Sequence, residues 1–171
     1  MDELTLSLRI LLAAVLAGLL GLEREWKRQY AGFRTHILVS LGSCLFTLVG
    51  TYAFLPDPAM NTASMSVDPT RVPSQVVVGI GFLGGGAILK YGMSIKGLTT
   101  AANLWLAAAV GMAVGVGYYF AAVACVAMSL LTLVGLRPLE HKLFPETLKE
   151  DQREKRQRKA EVEESPETHV H

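Results

Sequence analysis

The sequence predicts an all-α membrane protein, a bundle of about five transmembrane helices. Hydrophobic residues make up 51% of the 171 residues and charged residues only 18%, and both values differ from those of soluble proteins in the direction of membrane proteins. The charges concentrate at one end, because the segment 137–171 holds 8 of the 16 Lys/Arg and 9 of the 15 Asp/Glu. Apolar runs long enough to cross a bilayer lie at about 4–22, 35–55, 72–89, 98–115 and 120–136.

These runs divide the chain into a transmembrane domain, 1–136, and a charged cytoplasmic tail, 137–171, helical or disordered. The first run follows Met1-Asp2-Glu3, which is acidic where a signal peptide is basic, so we expect a retained helix. Only Val116–Tyr119 separates the last two runs. A tight hairpin is therefore predicted there, with Gly115 and Gly117 supplying the backbone freedom of a short turn.

Orientation is predicted from the basic residues of the connections, since these resist translocation. The second connection holds one such residue, the third two and the fourth none, whereas the tail holds eight. This alternation predicts an N-terminus outside and a cytoplasmic C-terminus. The first connection is the most basic of the four and contains Arg24, Lys27, Arg28 and Arg34.

Acidic residues before the tail all lie at or beyond the ends of the predicted spans. Coupled transporters usually have an ionisable group within the membrane, so this distribution lowers the expectation of one. Arg9 is the one charge inside a span, and we expect it either to reach outward to the interface or to meet Asp68.

Asp68 precedes Pro69 at the start of the third span, an order typical of a helix N-cap followed by the first helical residue. Pro73 lacks an N–H, so either the first turn is distorted or the regular helix begins near Pro73. Besides capping, Asp68 is the best candidate for receiving a hydrated Mg²⁺ ion, which binds through few carboxylates and keeps water. The metal itself is not predicted by the sequence.

The glycines of the third span form a G-x-G-x-x-G pattern, 79–84. A dinucleotide site is rejected because the pattern follows no strand and no Asp or Glu lies in 97–110. Two alternatives remain: close helix packing, or an unwound segment at 84–86 whose carbonyls line an ion or solute site. The packing candidates are Gly79, Gly81, Gly84, Gly85, Gly111 and Gly115.

Two sets of polar side chains lie within the predicted spans or at their ends. Gln75 and Asn103 are the strongest hydrogen-bonding groups inside spans three and four, and they either bond between helices or line a pocket. Near the end of span one, Glu23 and Lys27 have the spacing of a helix-surface ion pair. The alternative is an electropositive inner vestibule, formed by Arg24, Arg34 and His36, that engages a partner or lipid headgroups.

Six blocks of the sequence, in order and spacing, resemble the MgtC/SapB membrane protein family. They are G-L-E-R-E at 21–25, A-G-F-R-T-H at 31–36, D-P-T-R-V at 68–72, Q-V-V at 75–77, G-I-G-F-L-G at 79–84 and G-L-T-T-A-A at 97–102. The resemblance covers about 10–136. It implies that the functional polar residues are Glu23, Arg24, Glu25, Arg34, Thr35, His36, Asp68, Arg71, Gln75 and Asn103, although the family often has a different small residue at the position of Asn103.

The resemblance also implies a multi-pass protein of the bacterial inner membrane, linked to magnesium limitation, acid stress and, in intracellular pathogens, survival in phagocytes. Virulence-type members are described as restraining the F-type ATP synthase. Those members carry an ACT-like domain after the last span, whereas the 35-residue tail of this chain is too short and too charged for a second core. The chain therefore resembles the short, SapB-like branch.

Two function classes follow. The first is a non-enzymatic regulator that docks through glycine-lined helices against another membrane complex; the second is a permease or channel for Mg²⁺ or another small ion or solute. No nucleophile with an adjacent base is apparent, so we expect neither an enzyme nor a cofactor. The bilayer is the expected environment, a homo-oligomer remains open, and the net charge of +1 argues against a nucleic-acid partner.

Overall fold

A computed structural model describes residues 2–52, 68, 70–92 and 94–136 of the protein. It is 82% helical, which confirms the all-α prediction. The tail, 137–171, and the end of the second predicted span, 53–55, lie outside the described residues. The helices are α1, Glu3–Trp26; α2, Phe33–Tyr52; α3, Arg71–Gly86; α4, Leu98–Val116; and α5, Tyr119–Leu130.

Helices α1, α2 and α4 are long and apolar enough to cross a membrane. The outward face of α1 is apolar, because exposed leucine and valine residues repeat along it every three to four positions. A surface helix of a soluble protein places polar residues on that face, so this stripe is suited to lipid. It consists of Leu4, Leu8, Leu11, Val15, Leu19 and Leu22.

Helix α4 is central, since it packs against all four other α-helices. It runs parallel to α2: Gly111 lies against the backbone of Ser40, and Gly115 lies against Cys44 and Thr47 four residues further along both helices. Helix α1 runs antiparallel to α2. The main apolar core joins these helices to α5 through Ala13, Leu16, Leu20, Cys44, Leu48, Val110, Val114, Ala122 and Val126.

The bundle therefore has two ends, which we name for reference. The basal end is where α1 ends and α2 and α4 begin, and the apical end is where α2 and α4 end and α5 begins. Helix α3 flanks α2 and α4 at the edge of this arrangement. Within α3 only Ile80 and Gly84 are buried, so α3 is far more exposed than α4.

Helix α3 begins at Arg71 with Thr70 as its N-cap, which resolves the question raised by the two prolines. Thr70 makes no side-chain capping bond and has a helical conformation itself; the capping bond comes from Asp68, as expected, because its Oδ1 accepts from the Thr70 backbone N–H at 2.9 Å. Pro73 lies in the first turn, where backbone N–H groups have no partner within the helix, so its missing N–H costs no hydrogen bond. Helix α3 then continues regularly to Gly86, with Ala87 as a right-handed C-cap. The unwound segment at 84–86 is therefore also wrong.

The connection between α3 and α4 contains two short antiparallel strands that the sequence reading missed, β1, Leu89–Tyr91, and β2, Ser94–Lys96. Gly92 in the turn has a φ of 59°, and Gly97, which precedes α4, has a φ of 89°. A Cβ on Gly97 would also collide with the Ala87 carbonyl oxygen. Glycine thus allows this connection to close tightly against the end of α3.

The hairpin between α4 and α5 has the position that the sequence predicts. Helix α4 ends at Val116, Gly117 adopts a left-handed conformation with a φ of 94°, and α5 begins at Tyr119. The chain divides into two units, Met1–Leu130 and Leu131–His171. In the second unit, Leu131–Gly135 forms a π-helical segment, so the predicted span 120–136 is not one uniform α-helix.

Candidate functional site

At the basal end, α1 extends beyond the predicted span to Trp26 and thereby keeps Glu23 and Arg24 on the helix. The chain then reverses through Arg28, whose φ of 52° is unusual for a residue with a side chain. The Glu25 carboxylate accepts a hydrogen bond from the Phe33 backbone N–H at 3.1 Å. This carboxylate satisfies a free donor at the start of α2 and suits the positive end of the helix.

Glu23 and Arg24 form a buried ion pair, in which the Arg24 Nε donates to Glu23 Oε2. The expected partner of Glu23 was Lys27. Arg24 is instead the residue that needs the carboxylate, because it is only 6% exposed and a buried charge is costly unless it is paired. The electropositive vestibule is also wrong: Arg24 is neutralised, Arg34 is exposed and His36 is fully buried.

His36 lies in the first turn of α2, with its Nδ1 2.8 Å from the Gly32 carbonyl oxygen. A carbonyl oxygen only accepts hydrogen bonds, so Nδ1 carries the hydrogen. The other ring nitrogen, Nε2, is buried and has no hydrogen-bond partner among the described residues. Glu23 and Arg24 are the charged groups close enough to act on the ring electrostatically.

Asn103 is buried at the basal end on α4. The contacts of Gly111 with Ser40 and of Gly115 with Cys44 have one offset between the parallel helices α2 and α4. The same offset puts Asn103 at about the level of Gly32, given a rise of about 1.5 Å per residue in both helices. We call Glu23, Arg24, His36 and Asn103 the basal cluster.

The predicted polar residues thus fall into two groups. Glu25, Arg34 and Thr35 lie at the basal end with the basal cluster, whereas Asp68, Arg71 and Gln75 lie at the apical start of α3. The structure therefore does not bring the predicted set together in one site. Gln75 and Asn103 do not lie together, because Gln75 is exposed at the apical end, where it lines a groove, and Asn103 is buried at the basal end.

The Asp68 carboxylate holds a local turn before α3. Its Oδ1 accepts from the Thr70 hydroxyl at 2.7 Å and from the Thr70 backbone N–H at 2.9 Å. These hydrogen bonds, the hydroxyl first, lower the pKa of Asp68 below that of an ordinary aspartate, and the nearby charge of Arg71 acts in the same direction. Asp68 is exposed, so its carboxylate is ionised and accessible at neutral pH.

Arg9 organises the apical end in a way that the sequence reading did not foresee. Its guanidinium donates to the Tyr119 hydroxyl at 2.8 Å, to the Tyr52 hydroxyl at 2.9 Å and to the Gly115 carbonyl oxygen at 2.7 Å. It reaches toward the apical end, as expected, but its partners are these groups and not Asp68. The available signal was the pair of tyrosines at the apical ends of spans two and five.

An apolar groove runs between α2 and α3. Its larger part has a volume of about 530 Å³, and a second part of about 390 Å³ lies toward the basal end and shares Val39 and Leu83 with it. Gln75 projects into the larger part, and the Phe82 ring, which is 84% exposed, borders the smaller one. We call these two parts together the α2–α3 groove.

The predicted packing glycines have two different environments. A Cβ on Gly111 would collide with the Ser40 carbonyl oxygen, and a Cβ on Gly115 would lie 2.9 Å from the Thr47 Cβ. Gly84 has room for a Cβ, which would lie 3.7 Å from that of Ala101. Packing within the described chain does not explain the remaining three, since no atom lies within 4 Å of a Cβ on Gly79, Gly81 or Gly85.

The profile of the MgtC family matches residues 10–142. The chain belongs to the MgtC family. Most of α1 and all of α2 to α5 lie within the matched region, and so does the whole basal cluster. The resemblance predicted from the six sequence blocks is therefore confirmed.

Curated relatives agree with this family assignment. The chain is 40% identical over 137 residues to YhiD of Escherichia coli K12, which is named as a candidate magnesium transporter, covering 80% of this chain and 63% of YhiD. It is 45% identical over 132 residues to a Synechocystis protein, covering 77% and 52%. It is 39% identical over 130 residues to MgtC of Salmonella typhimurium, covering 76% and 52%.

The chain thus spans about half to two thirds of the length of these relatives. No solved structure matches it significantly. The MgtC family is one of transporters and virulence factors and not a known enzyme family. Its members and the apolar helices identify this chain as a membrane protein with a magnesium-related family background.

Among the described residues, no three His, Cys, Asp or Glu side chains come together as metal ligands. Asp68 therefore offers a single carboxylate, which suits a hydrated ion in transit better than a resident one. The α2–α3 groove is almost entirely apolar, which is typical of a surface for a helix or for lipid.

Proposed function

We propose that this protein is a non-enzymatic, multi-pass regulator of the bacterial inner membrane that docks through the α2–α3 groove onto a transmembrane helix of another membrane complex. The family resemblance suggests the F-type ATP synthase as that complex, with activity linked to magnesium limitation or acid stress. The observation that carries the proposal is the α3 side of the groove, which Gly79 and Gly86 line and where no atom of the described chain lies within 4 Å of a Cβ on either glycine.

Glycines on an exposed helix face are costly without a reason, because glycine lowers helix stability by about 0.5–1 kcal/mol relative to alanine. In a membrane the usual reason is the approach of another helix backbone, which small residues allow. Gln75 supports a protein neighbour over lipid, since its exposed amide would otherwise face hydrocarbon without a hydrogen-bond partner. A passing helix with a polar group at that level would supply one.

The centre of the bundle supports regulation over conduction. Gly111 and Gly115 bring α4 into contact with the backbone of α2, and the apolar core fills the space between α1, α2, α4 and α5. Within the described residues, the acidic groups lie near helix ends and not at mid-membrane. Such a bundle is better suited to docking a partner on its outer surface than to conducting an ion through its centre.

Site-specific photo-crosslinking tests the docking surface. A benzoyl-phenylalanine at Phe82, beside the groove, should crosslink to a subunit of the ATP synthase in inner membranes. The same group at Phe120, which is 88% exposed on α5, is the matched control and should not. Gly79→Leu should abolish the crosslink and relieve inhibition of ATP-driven proton pumping, whereas Ala121→Leu on α5 should change neither. Equal crosslinking from Phe82 and Phe120 would contradict the proposal.

A magnesium permease or channel is the second candidate, supported by the name of YhiD and by the ionised, accessible carboxylate of Asp68. Purified protein in liposomes that contain a Mg²⁺ indicator distinguishes the two. Flux that is lost in Asp68→Ala but kept in Asp2→Ala, an exposed acid at the same end, would establish the permease. Absence of flux from folded protein would leave the regulator.

The proposed topology has the N-terminus outside and the C-terminus in the cytoplasm, so the β1–β2 connection faces the cytoplasm. Cysteines introduced at Lys90 and at Tyr118, exposed residues in the connections at the basal and apical ends, should differ in labelling by a membrane-impermeant maleimide added to intact cells. Only the apical cysteine should react. Labelling at position 90 from outside would reverse the orientation.

A further inference from the structure

Arg9 on α1 is fixed at the apical end of the bundle by three other helices. Its guanidinium donates to the hydroxyls of Tyr119 and Tyr52, at 2.8 and 2.9 Å, and to the Gly115 carbonyl oxygen at 2.7 Å. Its Cζ lies 5.4 Å from the centre of the Tyr52 ring and 5.7 Å from that of the Tyr119 ring. A side chain held by this many contacts is preorganised, which lowers the entropic cost of binding a ligand.

The helix ends show the depth at which this guanidinium lies. Tyr52 is the last residue of α2, Gly115 is the last but one of α4, and Tyr119 is the first of α5. Arg9 is partly exposed, and Tyr119 is 39% exposed. The ends of membrane-spanning helices lie at the interface, where the lipid headgroups begin. The guanidinium is therefore within reach of the headgroups of the apical leaflet.

The three hydrogen-bond partners of Arg9 are neutral groups, so they do not compensate its positive charge. Among the described residues, the only ion pair joins Arg24 to Glu23. Asp2 lies on the same face of α1 as Arg9 but seven residues earlier, which is about 10 Å along the helix axis. A charge at the edge of the hydrocarbon is costly without a counter-charge. An anion from outside the bundle would therefore be stabilised beside Arg9.

Gly117 leaves room for such an anion next to the guanidinium. A Cβ on Gly117 would lie 3.3 Å from Arg9 Nη2 and 3.9 Å from the Tyr119 hydroxyl oxygen, so the space over this glycine adjoins two donor groups at once. The Tyr119 hydroxyl accepts from Arg9 Nε and still has its own hydrogen to donate. An oxygen atom in this space can accept from both groups, and a planar guanidinium is well suited to phosphate oxygens.

We propose that Arg9, Tyr119 and the space over Gly117 form an apical site for the phosphate group of a membrane phospholipid. Soluble phosphate has similar oxygens, but the surroundings of the site favour a lipid. Leu8, which precedes Arg9 on α1, and Phe120, which follows Tyr119 on α5, are exposed apolar residues that suit acyl chains. The site is separate from the α2–α3 groove, and its test does not depend on the regulatory function.

Photo-crosslinking of the full chain in lipid nanodiscs tests the site, with phosphatidylglycerol that carries a diazirine in its headgroup. The probe lipid is kept below saturation so that the yield follows affinity, and mass spectrometry should locate crosslinks at 117–120. Arg9→Gln should reduce their yield about tenfold and Tyr119→Phe about threefold, because a charged and a neutral donor are lost, respectively. Tyr118→Phe, at an exposed tyrosine that is not a partner of Arg9, should not change it. Crosslinks at Lys90, at the basal end, are the internal control and should be equal in all four proteins.

The other outcomes of this experiment contradict the proposal. Equal apical crosslinking in the wild-type protein and Tyr119→Phe would overturn it, and this comparison decides the question if Arg9→Gln does not fold. Competition by soluble glycerophosphoglycerol, the same headgroup without acyl chains, would show that the site takes a free phosphate and not a lipid. Asp57 lies outside the described residues; apical crosslinks that appear only in Asp57→Asn would make Asp57 the counter-charge of Arg9 and refute the lipid site.

Discussion

Helices α3 and α4 carry the same G-x-x-x-G spacing in opposite environments. On α4, Gly111 and Gly115 lie directly against the backbone of α2, where a side chain would collide. On α3, Gly81 and Gly85 face open space. The spacing permits a close approach of two helices, but the presence of a neighbour depends on where the helix lies in the bundle. Helix α4 is central, and α3 is at the edge.

The difference separates two roles for the same residue. At the α2–α4 interface, glycine is a structural requirement of the bundle itself, and substitution is expected to act on stability. On α3, glycine contributes nothing to packing within the described chain, so substitution there is expected to act on what docks against α3. Stability and partner binding should therefore respond oppositely to alanine at these two sets of glycines.

The largest effect is expected for Gly111→Ala. The added methyl group would collide with the Ser40 carbonyl. This group belongs to the backbone of α2, so it cannot move aside as the end of a flexible side chain can. Overpacking of this kind costs about 1–3 kcal/mol, and we expect the upper end of the range or failure to fold. Unfolding by a denaturing detergent, followed by circular dichroism, measures the loss. A stability equal to that of the wild-type protein would show that α2 and α4 separate easily.

The second effect concerns Arg9, which ties α1 to the ends of α2, α4 and α5 but makes no hydrogen bond to α3. Arg9→Lys keeps the charge but lacks the planar fork that serves three acceptors. We expect a loss of about 2 kcal/mol, the size of a lost hydrogen bond to a charged group. The control is Arg34→Lys, an exposed residue, which should unfold like the wild-type protein.

The contrast between α3 and α4 also shows what the sequence predicts well. Hydropathy and segment length predicted where the helices lie, because the bilayer requires an apolar segment of a certain length, which can be recognised from neighbouring residues alone. The α4–α5 hairpin followed from Gly117, since a left-handed turn has few alternatives to glycine. The strands β1 and β2 were missed because six residues in a short polar connection carry too weak a pattern.

Site residues were harder to predict, because their role depends on neighbours distant in sequence. The sequence allows Arg24 to be part of a positive surface, yet its burial requires that it pair with Glu23. Gln75 and Asn103 have similar side chains, and each lies near the start of its helix. Gln75, however, lines the α2–α3 groove, whereas Asn103 is buried. Hydropathy contains no information on helix rotation within a bundle, so these outcomes required the three-dimensional arrangement.

A smaller effect, of opposite sign, is expected for Gly85→Ala. A Cβ at this position meets no atom within 4 Å, and alanine favours a helix over glycine by about 0.5–1 kcal/mol. The purified variant should be slightly more stable than the wild-type protein, measured in the same unfolding assay as Gly111→Ala. A marked loss of stability would indicate that α3 already packs against another copy in the purified protein, which size-exclusion chromatography with light scattering would detect.

The smallest effect lies at the start of α3, where Asp68 and Thr70 hold the turn by contacts within three residues. The lowered pKa of Asp68 means that its contribution to stability is present above the ordinary aspartate pKa and is lost as the pH falls through the lowered value. Carbon-13 NMR of the carboxyl group measures this pKa directly. Thr70→Val removes the hydroxyl donor and should raise it, whereas Ser74→Ala, one turn later, should not. An unchanged pKa in Thr70→Val would show that the turn is held by another contact, and the edge helix would then depend on the rest of the bundle more than its local hydrogen bonds suggest.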